Sequence, residues 1–497
     1  MKKSNLSIAP LPFVFLILLA NCTTGQKADE NGSNKSGEAI ETRIGTLNFT
    51  QDFVNGYPTV ETIDKLYDEM DFQRACQLYL WSIPWIGFAS WQNEYESNLN
   101  VKNGQLVLME TYEEKLGGLT FNTTTPYVAT WINLEKEGPF VIEIPEGGQV
   151  RGAAHNNWQI QITQATEEGK YLFYGPNQEK PAGLEKEIYK VFQSSMNNFF
   201  FAVRLMPETE EERLAVLNEI KIYPLSQNDN PTPRGYVRFG GKPWTGYQPR
   251  GMNYWRVLAD HINREPVREV DRYYMAMLKG LGIEKGKEFN PDERQTKILK
   301  EAVLVGEAMA KALDFDKSRL ERGHYIDGSR WHYATTASYD QREEFYQELD
   351  ESAAWFYEAV TNDEAMHGQE TGWGQVYMGS SKDSDGDWFD GGQNYVLHIP
   401  PNPPAEAFWS ITLYDVSSRC IIVNDSKKAD LSSRQELRIN GDGTIDLYFG
   451  PDAPKGKESN WIQTMPKKAW FPYFRFYSPE KAFLDKTWIL PDIEKAN

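Results

Sequence analysis

The chain has 497 residues and a globular composition, with 40% hydrophobic, 13% aromatic and 25% charged residues. Lys and Arg total 52 against 71 Asp and Glu, and the formal net charge is −19. Such a charge repels phosphate backbones and anionic membrane surfaces, so we expect no nucleic-acid partner. The length exceeds that of a single hydrophobic core and predicts two or three domains.

Residues 1–22 have the pattern of an export signal, because Lys2 and Lys3 precede a short apolar run that ends in Leu-Leu-Ala-Asn-Cys at 18–22. This ending resembles a bacterial lipoprotein signal, although Asn21 departs from the small residue usual before the cysteine. We therefore expect lipidation at Cys22, with plain secretion as the alternative. Residues 23–45 lack large apolar side chains and are predicted to form a flexible tether. The expected location is the cell envelope, lipid-anchored at the outer membrane or in the periplasm.

Residues 46–249 are predicted to form an N-terminal β domain with opening helices. Apolar residues recur at helical spacing over 59–86, which predicts one or two helices broken at Pro84. Thr209 and Glu212 have the spacing of a capping box, which predicts a helix start. Short β-branched and aromatic segments punctuated by Gly, Pro and Asn predict a β-sandwich with strands at 105–109, 127–133, 140–144, 158–163, 170–174, 189–192, 199–205 and 221–225.

Residues 250–370 are predicted to form a helical domain. Asn290 followed by Pro291 indicates a capped helix start, and an apolar stripe continues to Leu313. A further helix is predicted over 339–360. Residues 371–497 return to alternation and predict a second antiparallel domain, a jelly roll, with a hairpin turn at 440–443 and strands at 395–399, 408–415, 437–439, 444–450 and 469–477.

Candidate metal ligands and disulfides are few. Cys76 and Cys420 lie in different predicted domains, so two separate buried thiols are favoured over a bridge. His324 and His332 are eight residues apart, and separate histidines are favoured over a shared metal. No cofactor is predicted beyond a calcium hypothesis: Asp383, Asp385 and Asp387 alternate around a glycine, as in oxygen-rich calcium loops. The loop lacks the distal bidentate Glu, and a solvated turn explains it equally well.

Several motifs carry a family resemblance. The segments at 55–70, 72–75, 223–225, 282–286 and 291–294 resemble domain of unknown function 1254. Those at 395–401, 408–415, 446–451 and 460–479 resemble domain of unknown function 1214. The resemblance implies a fold that is mainly β with a helical insert: an N-terminal immunoglobulin-like β-sandwich, a central all-α domain and a C-terminal jelly roll. Members are often exported and described as cell-envelope proteins, and the family carries no agreed reaction.

The chain departs from the family pattern at three positions. Thr124 stands where relatives usually have an aspartate, and Asn156 and Asn157 replace an acidic pair before Trp158. Asparagine cannot act as a general base or as a charged metal ligand. Any role of those carboxylates in relatives is therefore not expected here, unless Asn122, Asn156 or Asn157 substitutes for them by hydrogen bonding.

The clearest binding candidate is an arginine between tyrosines. Alternate residues of a strand share a face, which places Arg475 between Tyr473 and Tyr477. A guanidinium group can bind a carboxylate in a bidentate manner and stack on aromatic rings. We expect this face to line a cleft for a glycan or an acidic small molecule, together with Trp461, Tyr414 and Arg419. The alternative is a structural Arg475 that forms an ion pair with Asp415 or Asp446.

Three functions remain open at this stage. The first is an envelope lipoprotein that binds a glycan or an acidic small molecule. The second is a glycan-active enzyme that uses paired carboxylates, which the sequence does not identify among its 71 acids. The third is a structural assembly protein, forming a homo-oligomer through an exposed surface at Trp81, Trp85 and Trp91. An aromatic cleft without paired carboxylates would favour binding, and facing carboxylates would favour the enzyme.

Overall fold

A computed structural model of the protein describes residues 37–147, 149–184, 189–368 and 370–496. The predicted signal, Cys22 and residues 23–36 of the predicted tether lie outside this range. The chain divides into two compact units, with residues up to 66 in the first and residues from 67 onward in the second. Among the described residues, no helix is both long and apolar enough to cross a membrane.

The first unit contains the antiparallel hairpin β1 (Ala39–Thr42) and β2 (Gly45–Asn48). The α-helices within the described residues are α1 (Val60–Ser97), α2 (Tyr112–Lys115), α3 (Leu134–Glu137), α4 (Glu210–Glu219), α5 (Met252–Arg264), α6 (Arg272–Gly280), α7 (Glu293–Phe315), α8 (Leu349–Glu358) and α9 (Lys481–Leu484). The strands of the second unit are β3 (Leu106–Met109), β4 (Tyr127–Asn133), β5 (Phe140–Ile144), β6 (Val150–Asn156), β7 (Gln161–Gln164), β8 (Gly169–Tyr174), β9 (Tyr189–Gln193), β10 (Asn198–Leu205), β11 (Lys221–Pro224), β12 (Tyr236–Arg238), β13 (His332–Tyr333), β14 (Gln375–Gly379), β15 (Tyr395–Ile399), β16 (Ala405–Asp415), β17 (Asp430–Ser432), β18 (Ile445–Gly450), β19 (Trp461–Gln463), β20 (Trp470–Pro479) and β21 (Glu494–Lys495).

Two sheets of the N-terminal part enclose a hydrophobic core. Their strand orders are β12-β3-β4-β10-β6-β7 and β11-β5-β8-β9. Alternation along β10 sends Phe199, Phe201 and Val203 into this core. The alternate residues Ala202 and Arg204 belong to the other face of the same strand, and this second face forms one wall of the site described below.

The long helix α1 differs from the prediction in two ways. It continues through Pro84 instead of breaking there. Its turns on both sides of Pro84 are buried, and this packing outweighs the cost of the missing backbone donor. Trp81, Trp85 and Trp91 are buried and not exposed, so the expected oligomer surface at these residues is wrong. These tryptophans pack against neighbouring aromatic rings inside the second unit: Trp81 stacks on Tyr274 with the ring centroids 4.7 Å apart.

The helical segment confirms α7 and corrects two predicted details. The N-cap of α7 is Asp292, whose carboxylate accepts from the Gln295 backbone N–H, and not Asn290. The predicted helix over 339–360 is limited to α8. Glu348 instead accepts two hydrogen bonds from Ser338, which holds the chain before α8 in a loop. The capping box of Thr209 and Glu212 at α4 is confirmed.

The C-terminal part contains sheets of strand order β13-β14-β20-β16-β17 and β19-β18-β15-β21. Strand β20 is central in its sheet and contains Pro472. The proline lies just beyond Tyr473, the last β20 residue that pairs with β14, so no β14 carbonyl requires a backbone donor at position 472. The predicted strand 437–439 is absent from the described elements, because the Arg438 N–H is bound by Asn460 Oδ1 instead of a neighbouring strand.

The fold is therefore mixed, with 30% helix and 27% strand in several sheets. Helices α5 to α8 lie between the two β-rich parts in the sequence, as the predicted order requires. Cys76 and Cys420 are both buried free thiols, which confirms the favoured prediction.

Candidate ligand-binding site

A cavity of about 580 Å³ lies between β-rich parts that are far apart in sequence. Strands β6 and β10 line one side, and strands β14 and β20 line the other. Ala153 and Ala202 are register partners on adjacent strands, and both line the cavity. Their short side chains leave space in the cavity, and larger side chains flank them along the two strands.

Ten aromatic side chains of the described residues line the cavity. They come from α1, α8, both β-rich parts and the segment before β14: Trp91, Phe121, Tyr127, Phe200, Trp355, Trp373, Tyr377, Phe408, Tyr473 and Tyr477. Such a lining suits a ligand with an apolar, planar body, and a few polar groups would then orient it.

Arg475 is a buried cation in this wall, with 2% of its surface exposed. Its Nη2 donates to the Thr120 carbonyl at 2.7 Å, and its Nη1 donates to Thr412 Oγ1 at 3.2 Å. Its guanidinium carbon lies 5.1 Å from the ring centroid of Tyr377 and 5.2 Å from that of Tyr473. No carboxylate among the described residues forms an ion pair with it, so the predicted alternative of a salt bridge to Asp415 or Asp446 is wrong.

Arg204 on β10 faces the same cavity and was missed from the sequence. Its Nη1 lies 3.3 Å from Tyr477 Oη, and its Nη2 lies 3.5 Å from Tyr377 Oη. These contacts are long for hydrogen bonds, so the protein uses the donors of Arg204 weakly. Within the described part of the chain, Arg204 also has no carboxylate partner. The signal for it was a single arginine in the apolar strand Phe-Phe-Phe-Ala-Val-Arg-Leu at 199–205.

Two strained residues line the cavity. Thr120 has φ +44° and Thr361 has φ +64°, a left-handed conformation that β-branched residues rarely adopt. The Thr120 carbonyl accepts from Arg475 and from Tyr414 Oη at 3.2 Å. Backbone strain of this kind costs on the order of 1–3 kcal/mol and is concentrated at functional sites.

A second polar group faces the cavity from β6 and the loop after α8. His155 is 1% exposed and Asp363 is 9% exposed. His155 Nε2 lies 4.0 Å from Asp363 Oδ2. Neither ring nitrogen of His155 has a hydrogen-bond partner among the described residues, nor does Asp363 Oδ1. Burial lowers the pKa of His155 to about 3 and raises the pKa of Asp363, and a side-chain hydrogen bond with Gln164 and the nearby charge of Arg204 oppose the rise at Asp363.

The departures from the family pattern make hydrogen bonds within the structure. Thr124 Oγ1 donates to Asp430 Oδ2 at 2.6 Å. Asn156 Oδ1 accepts from the backbone N–H groups of Trp158 and Ile160. Asn157 Nδ2 donates to the buried Glu265 Oε1 at 2.8 Å. None of these three positions lines the cavity.

Asn122 connects two cavity tyrosines from behind. Its Nδ2 donates to Tyr127 Oη and to Tyr477 Oη, each at 3.0 Å. Its Oδ1 accepts from the Thr125 backbone N–H at 2.9 Å. The amide therefore fixes both phenol groups at the end of the cavity where Arg204 lies.

A buried charge network lies behind Tyr473. The Tyr473 hydroxyl donates to Glu358, whose Oε1 is 3.4 Å from Lys317 Nζ. The same ammonium group lies 2.7 Å from Asp314 Oδ1. Burial raises the pKa of both acids. The network anchors Tyr473 between the cavity and the helical segment.

The structure divides the residues of the predicted cleft into two groups. Arg475, Tyr473 and Tyr477 line the cavity, with Tyr414 in contact with Arg475 at 5.7 Å. Trp461 and Arg419 do not line it. Trp461 donates to the Gly450 carbonyl, and Arg419 donates to Gln248 and to the Tyr357 carbonyl.

The three aspartates of the calcium hypothesis surround a lysine. Lys495 Nζ lies 3.3 Å, 3.2 Å and 2.6 Å from carboxylate oxygens of Asp383, Asp385 and Asp387, so an ammonium group already balances their charge. No group of three or more His, Cys, Asp or Glu residues suited to a metal ion occurs in the part of the chain that the structure describes. The geometry favours an ion-pair cluster over a calcium site.

Comparison with known proteins places these elements in families. The family model described as protein of unknown function DUF1254 matches residues 104–224, and the model described as protein of unknown function DUF1214 matches residues 374–481. The two family models therefore match the chain in this order, DUF1254 before DUF1214. The cavity is lined by strands of both domains: β6 and β10 from the first, β14 and β20 from the second.

Two solved structures are similar to this chain. The VPA0106 protein from Vibrio parahaemolyticus has 16% sequence identity and a TM-score of 0.52, over 86% of this chain and 100% of that one, which indicates a shared fold. An uncharacterized protein from Burkholderia cenocepacia has 10% identity and a TM-score of 0.38, over 88% of this chain and 96% of that one. No curated protein matches the sequence.

Proposed function

We propose that the protein binds an anionic small molecule with an apolar, planar body in the cavity between its DUF1254 and DUF1214 domains. The observation that carries the proposal is the pair Arg204 and Arg475. Both line the cavity, both contact Tyr377, and neither has a carboxylate partner among the described residues. Arg475 is buried and Arg204 is partly buried. A cation shielded from water without a carboxylate partner is costly, so two such arginines near one ring favour the binding of an anion.

The positive charge of the cavity contrasts with the negative charge of the whole chain. The protein carries a net charge of −19, yet the described residues that line the cavity include three arginines, Arg151, Arg204 and Arg475, and one acid, Asp363. The cavity is therefore a positive site in an acidic protein, and it attracts small anions that the outer surface repels.

The chemistry of the wall favours binding over glycan hydrolysis. Glycosidases use two carboxyl groups that flank the scissile bond. Asp363 is the one carboxylate among the described lining residues, and Glu358 lies behind Tyr473. We therefore favour an acidic organic ligand over a neutral glycan, and ligand binding over a hydrolytic enzyme.

The proposal includes an exported, lipid-anchored protein. It is supported by the sequence pattern at Cys22 and by the family resemblance. We also propose the immunoglobulin-like and jelly-roll assignments for the two β-rich domains, which is supported by the pairs of sheets in each and by the core between the first pair.

The test is a thermal-shift screen of residues 41–497 against aromatic and aliphatic carboxylates, sugar acids, neutral sugars and calcium. Ligand binding raises the melting temperature by mass action, so carboxylates with planar bodies should give the largest rise. Isothermal titration would then measure the Kd of each positive compound. A rise with neutral sugars alone would contradict the proposal, and so would no rise with any acid at millimolar concentration.

A further inference from the structure

The end of the cavity that contains Asp363 and His155 is chemically distinct from the arginine end. His155 is the register partner of Phe200 on β10, while Arg204 lies four residues further along that strand. At roughly 3.3 Å per residue, these levels are about 13 Å apart along the sheet. The two ends therefore present different groups, although Arg204 is near enough to Asp363 for its charge to oppose the rise in the pKa of that carboxyl.

The unsatisfied atoms at this end are an acceptor and a neutral imidazole. Asp363 Oδ1 and both ring nitrogens of His155 have no described partner in good hydrogen-bond geometry, although the Asn362 backbone lies near the imidazole and Gln164 lies near the carboxyl. Buried polar groups of native proteins are paired in the great majority of cases, so an unpaired cluster that lines a cavity indicates a ligand. A neutral imidazole has one N–H donor and one acceptor nitrogen.

We propose that Asp363 and His155 form a second subsite that binds a hydroxyl group at the end of the ligand opposite its acid group. A hydroxyl donates one hydrogen bond and accepts others, so it can donate to Asp363 Oδ1 and accept from the His155 N–H at once. This inference rests on the proposed function and narrows its ligand class to hydroxylated acids, with the hydroxyl and the acid at opposite ends of an apolar ring system.

A matched pair of probes tests the subsite. 4-Hydroxycinnamate and cinnamate share the acid group and the planar body and differ in the terminal hydroxyl. Isothermal titration of the wild-type protein should give a Kd at least tenfold lower for 4-hydroxycinnamate. In Asp363→Ala this preference should disappear, while the Kd for cinnamate stays near its wild-type value.

The cinnamate titration also serves as the folding control for each variant. His155→Phe keeps the ring size and should reduce the preference without abolishing cinnamate binding. Equal binding of the two probes by the wild-type protein would overturn the subsite and leave the proposed function standing. Binding of neither probe would count against the proposed function itself and would remove the subsite with it. A preference that persists in both variants would place the hydroxyl elsewhere and overturn the assignment.

Discussion

Arg204 allows a direct separation of binding from stability. Its hydrogen bonds with the protein are two long ones, at 3.3 Å and 3.5 Å, to tyrosine hydroxyls, and its guanidinium carbon lies 5.2 Å and 5.6 Å from the ring centroids of Tyr127 and Tyr477. Replacing it by methionine keeps most of the length of the side chain and removes a charge that has no carboxylate partner. We therefore expect Arg204→Met to leave the free energy of unfolding of the ligand-free protein unchanged or to raise it by up to about 2 kcal/mol.

Ligand binding should respond in the opposite direction. Hydrogen bonds to charged groups contribute about 1.5–3 kcal/mol each, so a lost bidentate contact costs about 3 kcal/mol or more. This corresponds to a rise in Kd of roughly 100-fold for an acidic ligand, measured by isothermal titration. The denaturation midpoint without ligand gives the stability of the same sample.

Arg213→Met is the matched control. Arg213 Nε lies 3.0 Å from Glu110 Oε1, and the arginine does not line the cavity. Its loss leaves a mostly buried carboxylate with one arginine partner fewer, so this variant should lose stability and keep its Kd. If Arg204→Met bound acidic ligands as tightly as the wild-type protein, the reasoning from unpaired arginines would be refuted.

Three further predictions concern the cavity, the buried network and pH. Ala153→Leu should fill the cavity and abolish ligand binding, which titration would show; unimpaired binding would contradict the location of the site. Ala154→Leu, on the opposite face of β6, should overpack the sandwich core and lower the free energy of unfolding by about 1–3 kcal/mol in chemical denaturation. Lys317→Met should cost about 3–5 kcal/mol because it leaves two buried acids uncompensated, and a denaturation midpoint like that of the wild type would show that the network contributes little. Burial lowers the pKa of His261 to about 3 from 6.5, so the unfolded chain takes up the proton first as the pH falls. The free energy of unfolding therefore falls as the pH drops from 6.5 toward 3, by up to about 1.4 kcal/mol per pH unit. His261→Phe should reduce this slope in denaturation curves measured from pH 7 to pH 4, and an unchanged slope would exclude His261 as its source.

Part of the site followed from alternation along single strands. Tyr473, Arg475 and Tyr477 were placed on one face of β20 because side chains alternate in a strand, and the structure places all three in the cavity wall. The same rule would have found Arg204 on β10, where one charged residue interrupts an apolar run. Local pattern therefore identifies which side chains share a face, provided each strand is examined for a charged residue within an apolar run.

The rest of the site depended on contacts between distant segments. His155 and Asp363 lie more than 200 residues apart in sequence, and no local pattern connects them. Tyr414 was grouped correctly with Arg475, but Trp461 and Arg419 were grouped with it by composition alone and lie elsewhere. The sequence also did not show that the second face of β10 and the face of β20 border one cavity.

The fold shows the same division between local and long-range information. The capping box at Thr209 and the strand that became β20 are local features and were confirmed. The break at Pro84 and the exposed tryptophans of α1 were wrong, because burial of that helix within the second unit overrides local propensity. The predicted domain boundaries at 249/250 and 370/371 stay predictions.

The most direct test of the account is a crystal structure of the protein soaked with 4-bromocinnamate at saturating concentration. We predict an anomalous bromine signal inside the cavity, with the carboxylate within hydrogen-bond distance of Arg204 or Arg475 and the bromine toward Asp363. A bromine signal only on the outer surface, or none at all in crystals whose cavity is open to solvent, would contradict the claim that this is an anion-binding site.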